Sequence, residues 1–221
     1  MKKFNLSIIM THQCNLKCLY CYETIRNKKV ICKDTAVNII RHYLNSKEYD
    51  EIEIDFFGGE PFLEFQKIKE ICEWVWSRKW RNNFLFFTTT NGTLVKGEIK
   101  EWLRNNRKRF WVSVSLDGER TSHNMNRSNS FDCIDIPFFY ECWPSQTLKM
   151  TISKETVNNL YNNITYLHSI GFKITGTNFA EGIDWEERKF TKVVCEQLDK
   201  LCRYYIDHPE IEPVPYKYAN L

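Results

Sequence analysis

Segments with the two-residue period of β-strands alternate with segments of helical spacing along the chain. The strand-type segments are Phe4–Met10, Glu51–Phe57, Asn83–Thr88, Phe110–Ser115, Thr147–Ile152 and Phe172–Phe179. Apolar positions three and four apart mark helices at Lys33–Ser46, Leu63–Arg78, Lys96–Asn106, Thr156–Ser169 and Trp185–Ile206. Because strands that alternate with helices favour right-handed crossovers and a parallel sheet, the sequence predicts an α/β fold.

The number of strand units distinguishes a complete barrel from a partial one. A complete (β/α)8 barrel has eight units in about 250 residues, whereas six units are visible in these 221 residues. We therefore expect one large domain over residues 1–207, a partial (β/α)6 TIM-like barrel with mainly parallel strands. The proline-rich residues 208–221 are expected to form a tail or the start of a further module.

Residue types that carry chemistry follow four of the predicted strands. The cysteines of Cys14-Asn-Leu-Lys-Cys18-Leu-Tyr-Cys21 follow the first strand, and Gly58-Gly59-Glu60-Pro61 follows the second. Asn91-Gly92 follows the third strand, and Ser115-Leu-Asp117-Gly118 ends the fourth. In parallel α/β folds, ligands bind at the carboxyl ends of the strands, so we expect a site there.

The spacing of Cys14, Cys18 and Cys21 indicates a redox cofactor. Three thiolates can hold three irons of a cubane iron–sulfur cluster and leave the fourth iron open to a ligand. Two other sites fit the same residues: a zinc site completed by His12, or a dithiol pair formed by Cys18 and Cys21.

The cysteine spacing, with Tyr20 before the last cysteine, resembles that of the radical S-adenosylmethionine (SAM) superfamily. Ser115-Leu-Asp117-Gly118 and the downstream Arg127 are similar to the peptide-modifying branch, whose sulfatase-maturase-like members often carry a cysteine-rich SPASM or twitch module. The resemblance implies a radical SAM core without that module. It also implies reductive cleavage of SAM to a 5′-deoxyadenosyl radical, which abstracts hydrogen from a peptide or protein residue.

The resemblance assigns roles to individual residues. Cys14, Cys18 and Cys21 would ligate one four-iron four-sulfur (4Fe-4S) cluster. The segment around Glu60, which includes Gly58, Gly59 and Pro61, would contact the amino group of SAM. The remaining expected SAM contacts are Tyr20 and Ile152 near the adenine, Ser115, Asp117 and Arg127 near the ribose and carboxylate, and the Asn91 backbone.

Each of these segments also has an ordinary structural interpretation. Glu60 and Pro61 could simply begin a helix, Asp117-Gly118 and Asn91-Gly92 are common turn sequences, and Arg127 could be a solvated charge. Asn178 and Glu181 could face a substrate, although a carboxylate such as Glu181 also suits the start of a helix.

Six cysteines lie outside the motif, and they lack the close spacing of a second cluster. Cys195 and Cys202 fall in a helical pattern, so we expect them to pack as small hydrophobic side chains. The expected partners are a low-potential electron donor and a peptide or protein substrate, with a separate auxiliary-cluster subunit as a further candidate. A small-molecule substrate and a noncatalytic cluster-binding remnant are the alternatives.

Composition excludes other classes of function. The 31 basic and 28 acidic residues are interspersed, and no basic block indicates nucleic-acid binding. No run of 18 apolar residues occurs, so we expect no membrane span. An odd count of nine cysteines in a chain of this length favours thiols over disulfides and hence the cytoplasm.

Overall fold

The computed structural model describes residues 2–23, 27–172 and 175–214. These residues form two units. Among the described residues, those up to 15 and from 23 to 113 belong to the first unit, and those from 16 to 22 and from 114 onwards belong to the second.

The first unit is built on a sheet with helices in its connections. Its strands are β1 (Lys3–Thr11), β2 (Glu51–Gly58), β3 (Asn83–Thr90) and β4 (Phe110–Val114), in the order β1-β2-β3-β4, with the last residue of β4 grouped in the second unit. β1 pairs in parallel with β2, and β2 with β3. The connecting helices are α1 (Lys33–Leu44), α2 (Phe65–Trp76) and α3 (Gly97–Asn106).

An aromatic layer crosses this sheet at its buried face. The rings of Phe56, Phe86 and Phe110 lie on three strands, and their centroids are 5.4 to 6.2 Å apart. All three side chains are fully buried. Alternate residues of β1 and β2 are buried beside them, as the two-residue period predicted, so the core lies on one face of the sheet.

The second unit continues the alternation of strands and helices. It contains α4 (Arg120–Asn126), α5 (Ile136–Cys142), β5 (Leu148–Ile152), α6 (Leu160–Ser169), β6 (Thr175–Phe179) and α7 (Arg188–Asp207). β5 and β6 are parallel, and Ser115, directly after β4, forms a parallel bridge with Lys149. The predicted parallel α/β architecture is therefore confirmed.

The predicted boundaries differ from the observed ones by one to four residues in most elements, and α6 begins at Leu160 rather than Thr156 because Val157–Asn159 forms a 3-10 turn. α2 begins at Phe65 rather than Leu63 because Pro61–Glu64 forms a separate 3-10 turn. The irregular region after β4 contains α4 and α5, which lack a long apolar period. Residues 173–174 of the predicted last strand and residues 215–221 of the predicted tail lie outside the described part of the chain.

The packing predicted for two cysteines of α7 is wrong. Cys195 and Cys202 are both exposed, whereas Gln197 and Leu201 are buried. The apolar stripe of α7 runs through Leu201 and positions three or four residues away, and Cys202 is turned about 100° from it. Within the described ranges, neither α7 nor any other helix has the length and apolar character to cross a membrane.

Candidate functional site

The three motif cysteines are half-buried thiols that follow β1. Cys14 belongs to the first unit, and Cys18 and Cys21 belong to the second. Among the described residues, no three His, Cys, Asp or Glu side chains are arranged to hold a single metal ion. Zinc gathers its ligands around one ion, whereas a cubane cluster binds each thiolate through a different iron.

The glycines after β2 allow very close packing against the segment that leads to Cys14. A Cβ atom on Gly58 would lie 2.2 Å from the Thr11 carbonyl oxygen, and one on Gly59 would lie 2.2 Å from the Gln13 oxygen. The N–H of Gly59 donates to the Thr11 oxygen at 2.9 Å. Glycine at these two positions therefore allows a close backbone approach to the cysteine segment, which a side chain would block.

The Glu60 carboxylate is buried and organises the ends of β2 and β3. It is 1% exposed and accepts hydrogen bonds from the Phe62 N–H at 3.1 Å, the Thr90 hydroxyl at 2.8 Å and the Asn91 N–H at 2.8 Å. Pro61 is buried and begins the 3-10 turn. The interpretation of Glu60 and Pro61 as a helix start is thus observed, and a contact of this segment with SAM stays a prediction.

The Asn91 side chain joins the end of β3 to Cys14. Its Oδ1 atom accepts from the Thr93 N–H at 3.0 Å and the Thr93 hydroxyl at 2.7 Å. Its Nδ2 atom donates to Asn15 Oδ1 at 2.8 Å and to Cys14 Sγ at 3.9 Å. Sequence reasoning expected a ligand-facing backbone here and did not foresee the side-chain contact with the thiol.

In the second unit, Asp117 is the centre of a buried hydrogen-bond network. Its carboxylate is fully buried and accepts from the Tyr20 hydroxyl at 2.6 Å, the Asn126 amide at 3.1 Å and the Thr151 N–H at 3.0 Å. Arg127 Nε lies 3.0 Å from the same carboxylate, although its N–H is not aligned for a hydrogen bond. The network attaches Tyr20 to the segments after β4 and around β5.

Arg127 is a buried cation. The residue is 8% exposed, and its guanidinium carbon lies 5.4 Å from the centroid of the Tyr20 ring. Burial opposes the charge, but Asp117, Tyr20 and Cys18 outweigh burial and raise the pKa of Arg127. Burial and then Asp117 raise the pKa of Tyr20. Arg127 therefore brings a permanent positive charge into the electrostatic surroundings of the Cys18 thiol rather than into solvent.

The remaining residues that the sequence suggested as ligand contacts differ in their exposure. Ser115 is 7% exposed and Ile152 is 1% exposed, whereas Asn178 and Glu181 are exposed. The structure therefore leaves Ile152 almost no accessible surface for a ligand. Its role as a wall of the adenine site stays a prediction.

Sequence reasoning missed the residues that support Asp117. Asn126 also accepts from the Ser153 hydroxyl at 2.8 Å, and His123 Nε2 lies 3.0 Å from Ser130 Oγ. Burial lowers the pKa of His123 to about 4. These residues lie in a region without a long period, so the sequence carried no signal for them.

The hydrogen bond between Asn91 and Thr93 could have been predicted from the sequence. An asparagine oxygen often accepts from the backbone N–H two residues later.

The side chains present fit an iron–sulfur cluster. A cluster with thiolate ligands carries negative charge and is stabilised by hydrogen bonds to its sulfurs. In the first unit, an amide of Asn91 donates to Cys14, and in the second, the charge of Arg127 acts on Cys18. Both features suit thiolates that bind irons.

Two proteins of known name are similar in sequence to part of this chain. The chain is 27% identical over 138 residues to the cysteine-type anaerobic sulfatase-maturating enzyme of Clostridium perfringens, a match that covers 57% of this chain and 35% of that protein. It is 30% identical over 132 residues to the GTP 3′,8-cyclase of the same organism, covering 51% of this chain and 34% of the cyclase. Each of these matches thus spans about a third of the relative's length.

A solved structure confirms the fold. Native anSMEcpe with bound AdoMet and Kp18Cys peptide superimposes with a TM-score of 0.80 at 20% identity, covering 96% of this chain and 63% of that one. The predicted partial barrel is confirmed by this likeness.

The model of the 4Fe-4S single cluster domain family matches residues 6–133, which is more than half of the chain. The matched range contains the three cysteines, the glycine-rich segment after β2, Asp117 and Arg127. The chain therefore belongs to the 4Fe-4S single cluster domain family and has a radical SAM core.

Proposed function

We propose that this protein is a radical SAM enzyme that acts on a residue of a peptide or protein. Cys14, Cys18 and Cys21 hold a 4Fe-4S cluster, which, when reduced in the presence of SAM, supplies a 5′-deoxyadenosyl radical for hydrogen abstraction. The electron comes from a separate low-potential donor.

One observation carries the cofactor part of this proposal. The ends of β1, β2 and β3 are joined around Cys14, through the Gly59 backbone, the Glu60 carboxylate and the Asn91 amide. Such a hydrogen-bonded arrangement holds a thiol in a defined position before any cofactor binds. Preorganisation of this kind is expected of a site that binds a cofactor.

The residues of the second unit suit the carboxylate of SAM. Arg127 is a permanent cation, and a guanidinium can donate two parallel hydrogen bonds to a carboxylate. Asp117 lies 3.0 Å from Arg127 Nε and holds the guanidinium in place. Tyr20 and Ser115 are the other proposed contacts with the nucleoside.

A peptide or protein substrate is supported by the relatives. One is named a sulfatase-maturating enzyme, and the superimposed structure holds a peptide. The GTP 3′,8-cyclase match favours a second candidate, a radical SAM enzyme that acts on a small molecule.

The first test is anaerobic reconstitution with iron and sulfide, followed by dithionite and SAM. We expect 5′-deoxyadenosine from the wild-type protein, measured by mass spectrometry, and none from Cys14→Ala. Cys195→Ala is the matched control, because Cys195 is an exposed thiol outside the motif, and it should retain the product. Cluster binding without 5′-deoxyadenosine would contradict the proposal and support the noncatalytic alternative.

A second experiment separates the substrate classes. Peptides with deuterated side chains and deuterated nucleotides are each added to the reduced protein with SAM. Transfer of deuterium from a peptide into 5′-deoxyadenosine is the expected result. Transfer from a nucleotide alone would replace the peptide proposal with the small-molecule one.

A further inference from the structure

The Asn91 side chain has a defined orientation at the end of β3. The Thr93 backbone N–H can only donate, so the Asn91 atom 3.0 Å from it is the carbonyl oxygen. The other terminal atom is therefore the amide nitrogen, which carries two hydrogens. The orientation of this amide follows from its partners rather than from an arbitrary choice between two similar atoms.

The two hydrogens of the Asn91 amide have separate acceptors. Asn15 Oδ1 accepts one at 2.8 Å, and Cys14 Sγ accepts the other at 3.9 Å. Sulfur is larger than oxygen, so its hydrogen bonds are longer. Asn15 is itself held in place, because its own amide donates to the Thr93 hydroxyl at 2.8 Å.

The backbone of Asn91 is anchored as well. Its N–H donates to the buried Glu60 carboxylate at 2.8 Å, and the Thr90 hydroxyl donates to the same carboxylate. Asn91 is 7% exposed, so water has little access to compete for the amide. The donor is thus fixed at both its backbone and its side chain beside the sulfur.

We propose that Asn91 is a positioning residue that tunes the reduction potential of the cluster through a hydrogen bond to the Cys14 sulfur. This inference rests on the proposed role of Cys14 as a ligand. Reduction adds an electron and makes the cluster more negative, and a donor to a ligand sulfur stabilises that added charge. Asn91 therefore raises the potential and makes the cluster easier to reduce.

The test compares Asn91→Ala and Asn91→Asp with the wild-type protein, each reconstituted anaerobically without SAM. The reduced fraction is followed by EPR during a redox titration. At a fixed potential, we expect Asn91→Ala to lower the ratio of reduced to oxidised cluster by roughly three- to tenfold, where tenfold equals about 59 mV for one electron. Asn91→Asp should lower it further, because it replaces the donor with a negative charge.

Asn82→Ala is the matched control. Asn82 is also a buried asparagine whose amide makes two hydrogen bonds, to the Tyr43 and Ser46 carbonyl oxygens. Asn82 directly precedes β3, and Asn91 directly follows it. Because a strand rises roughly 3.3 Å per residue, the two asparagines are about 30 Å apart. Asn82→Ala should lower stability and leave the potential unchanged.

The outcomes distinguish this inference from the proposed function. An unchanged potential in iron-loaded Asn91→Ala, or an equal shift in Asn82→Ala, would overturn the role of Asn91 alone. Failure of the wild-type protein to bind a cluster would overturn both proposals.

A measurement on the wild-type protein covers the case in which the Asn91 variants do not fold. Asparagine labelled with ¹⁵N only in its side-chain amide is incorporated, and the reduced cluster is examined by electron–nuclear double resonance. A ¹⁵N coupling is expected from the hydrogen-bonded amide. Its absence would overturn the inference.

Discussion

The Tyr20 hydroxyl donates a 2.6 Å hydrogen bond to the fully buried carboxylate of Asp117. Tyr20 stands between Cys18 and Cys21 in the chain, so this bond attaches the cysteine segment of the second unit to the residues that follow β4. The Leu19 N–H adds a bond to the Asn126 carbonyl oxygen at 2.9 Å. Together they hold the part of the motif that carries two of the three thiols.

Tyr20→Phe is expected to destabilise the protein. The variant keeps the ring that faces Arg127 and removes only the hydroxyl, which leaves a buried carboxylate with one donor fewer. Hydrogen bonds to charged groups contribute about 1.5–3 kcal/mol, and we expect a loss of this order in the free energy of unfolding measured with urea.

Tyr22→Phe is the control for this prediction. Tyr22 lies in the same segment but is 61% exposed, so loss of its hydroxyl should change stability by less than about 0.5 kcal/mol. Equal losses in the two variants would show that the Tyr20–Asp117 bond has no special contribution.

Gly59→Ala should disrupt the segment that carries Cys14. The new methyl group would collide with the backbone oxygen of Gln13, which cannot move without displacing the chain toward Cys14. We expect a loss of about 3 kcal/mol in the free energy of unfolding and much less iron per protein after reconstitution.

Gly97→Ala provides the comparison. No heavy atom lies within 4 Å of a Cβ at Gly97, and its φ of +49° imposes a backbone cost of about 1 kcal/mol. This variant should bind iron like the wild-type protein. Wild-type iron content in Gly59→Ala would show that the close approach to Gln13 is not needed to shape the site.

His123 should make the protein less stable in acid. Burial lowers the pKa of His123 to about 4 in the folded state, against an ordinary value of 6.5. The unfolded chain therefore binds a proton that the folded one does not, and stability falls as the pH drops from 6.5 towards 4. The full difference corresponds to ~3 kcal/mol, which is measurable by urea unfolding across this range.

Two variants isolate this contribution. His123→Gln removes the ionisable ring, so its free energy of unfolding should depend less steeply on pH between 4 and 6.5. His42→Gln, which changes an exposed histidine of α1, is the surface control. A slope in His123→Gln as steep as that of the wild-type protein would assign the acid sensitivity to other groups.

Local patterns were enough to predict the six strands and five of the helices. Strand and helix periods are properties of neighbouring residues, so they are visible in the sequence. α4 and α5 each have seven residues, too few to show a period, and were not predicted. The exposure of Cys195 and Cys202 was also mispredicted, because spacing defines an apolar stripe but not its width.

The candidate site was also predictable only in part. Cysteine spacing and the position of each motif after a strand identified Cys14, Cys18, Cys21 and Asp117 as candidates, and the family resemblance added Arg127; these assignments stay predictions. The hydrogen bonds of these residues could not be predicted. Asp117 depends on Tyr20, which is 97 residues away in sequence, and no local pattern specifies such a partner.

The sequence alone therefore determined the order of the six strands and five of the helices, the family and the residue types of the site. Only the tertiary structure decided how those residues are used. Glu60 accepts hydrogen bonds from the end of β3 and from the 3-10 turn after β2, Asn91 donates to Cys14, and Arg127 is buried against Asp117. Hydrogen bonding and burial depend on which distant segments folding brings together, whereas periodicity and motif spacing are already present in the unfolded chain.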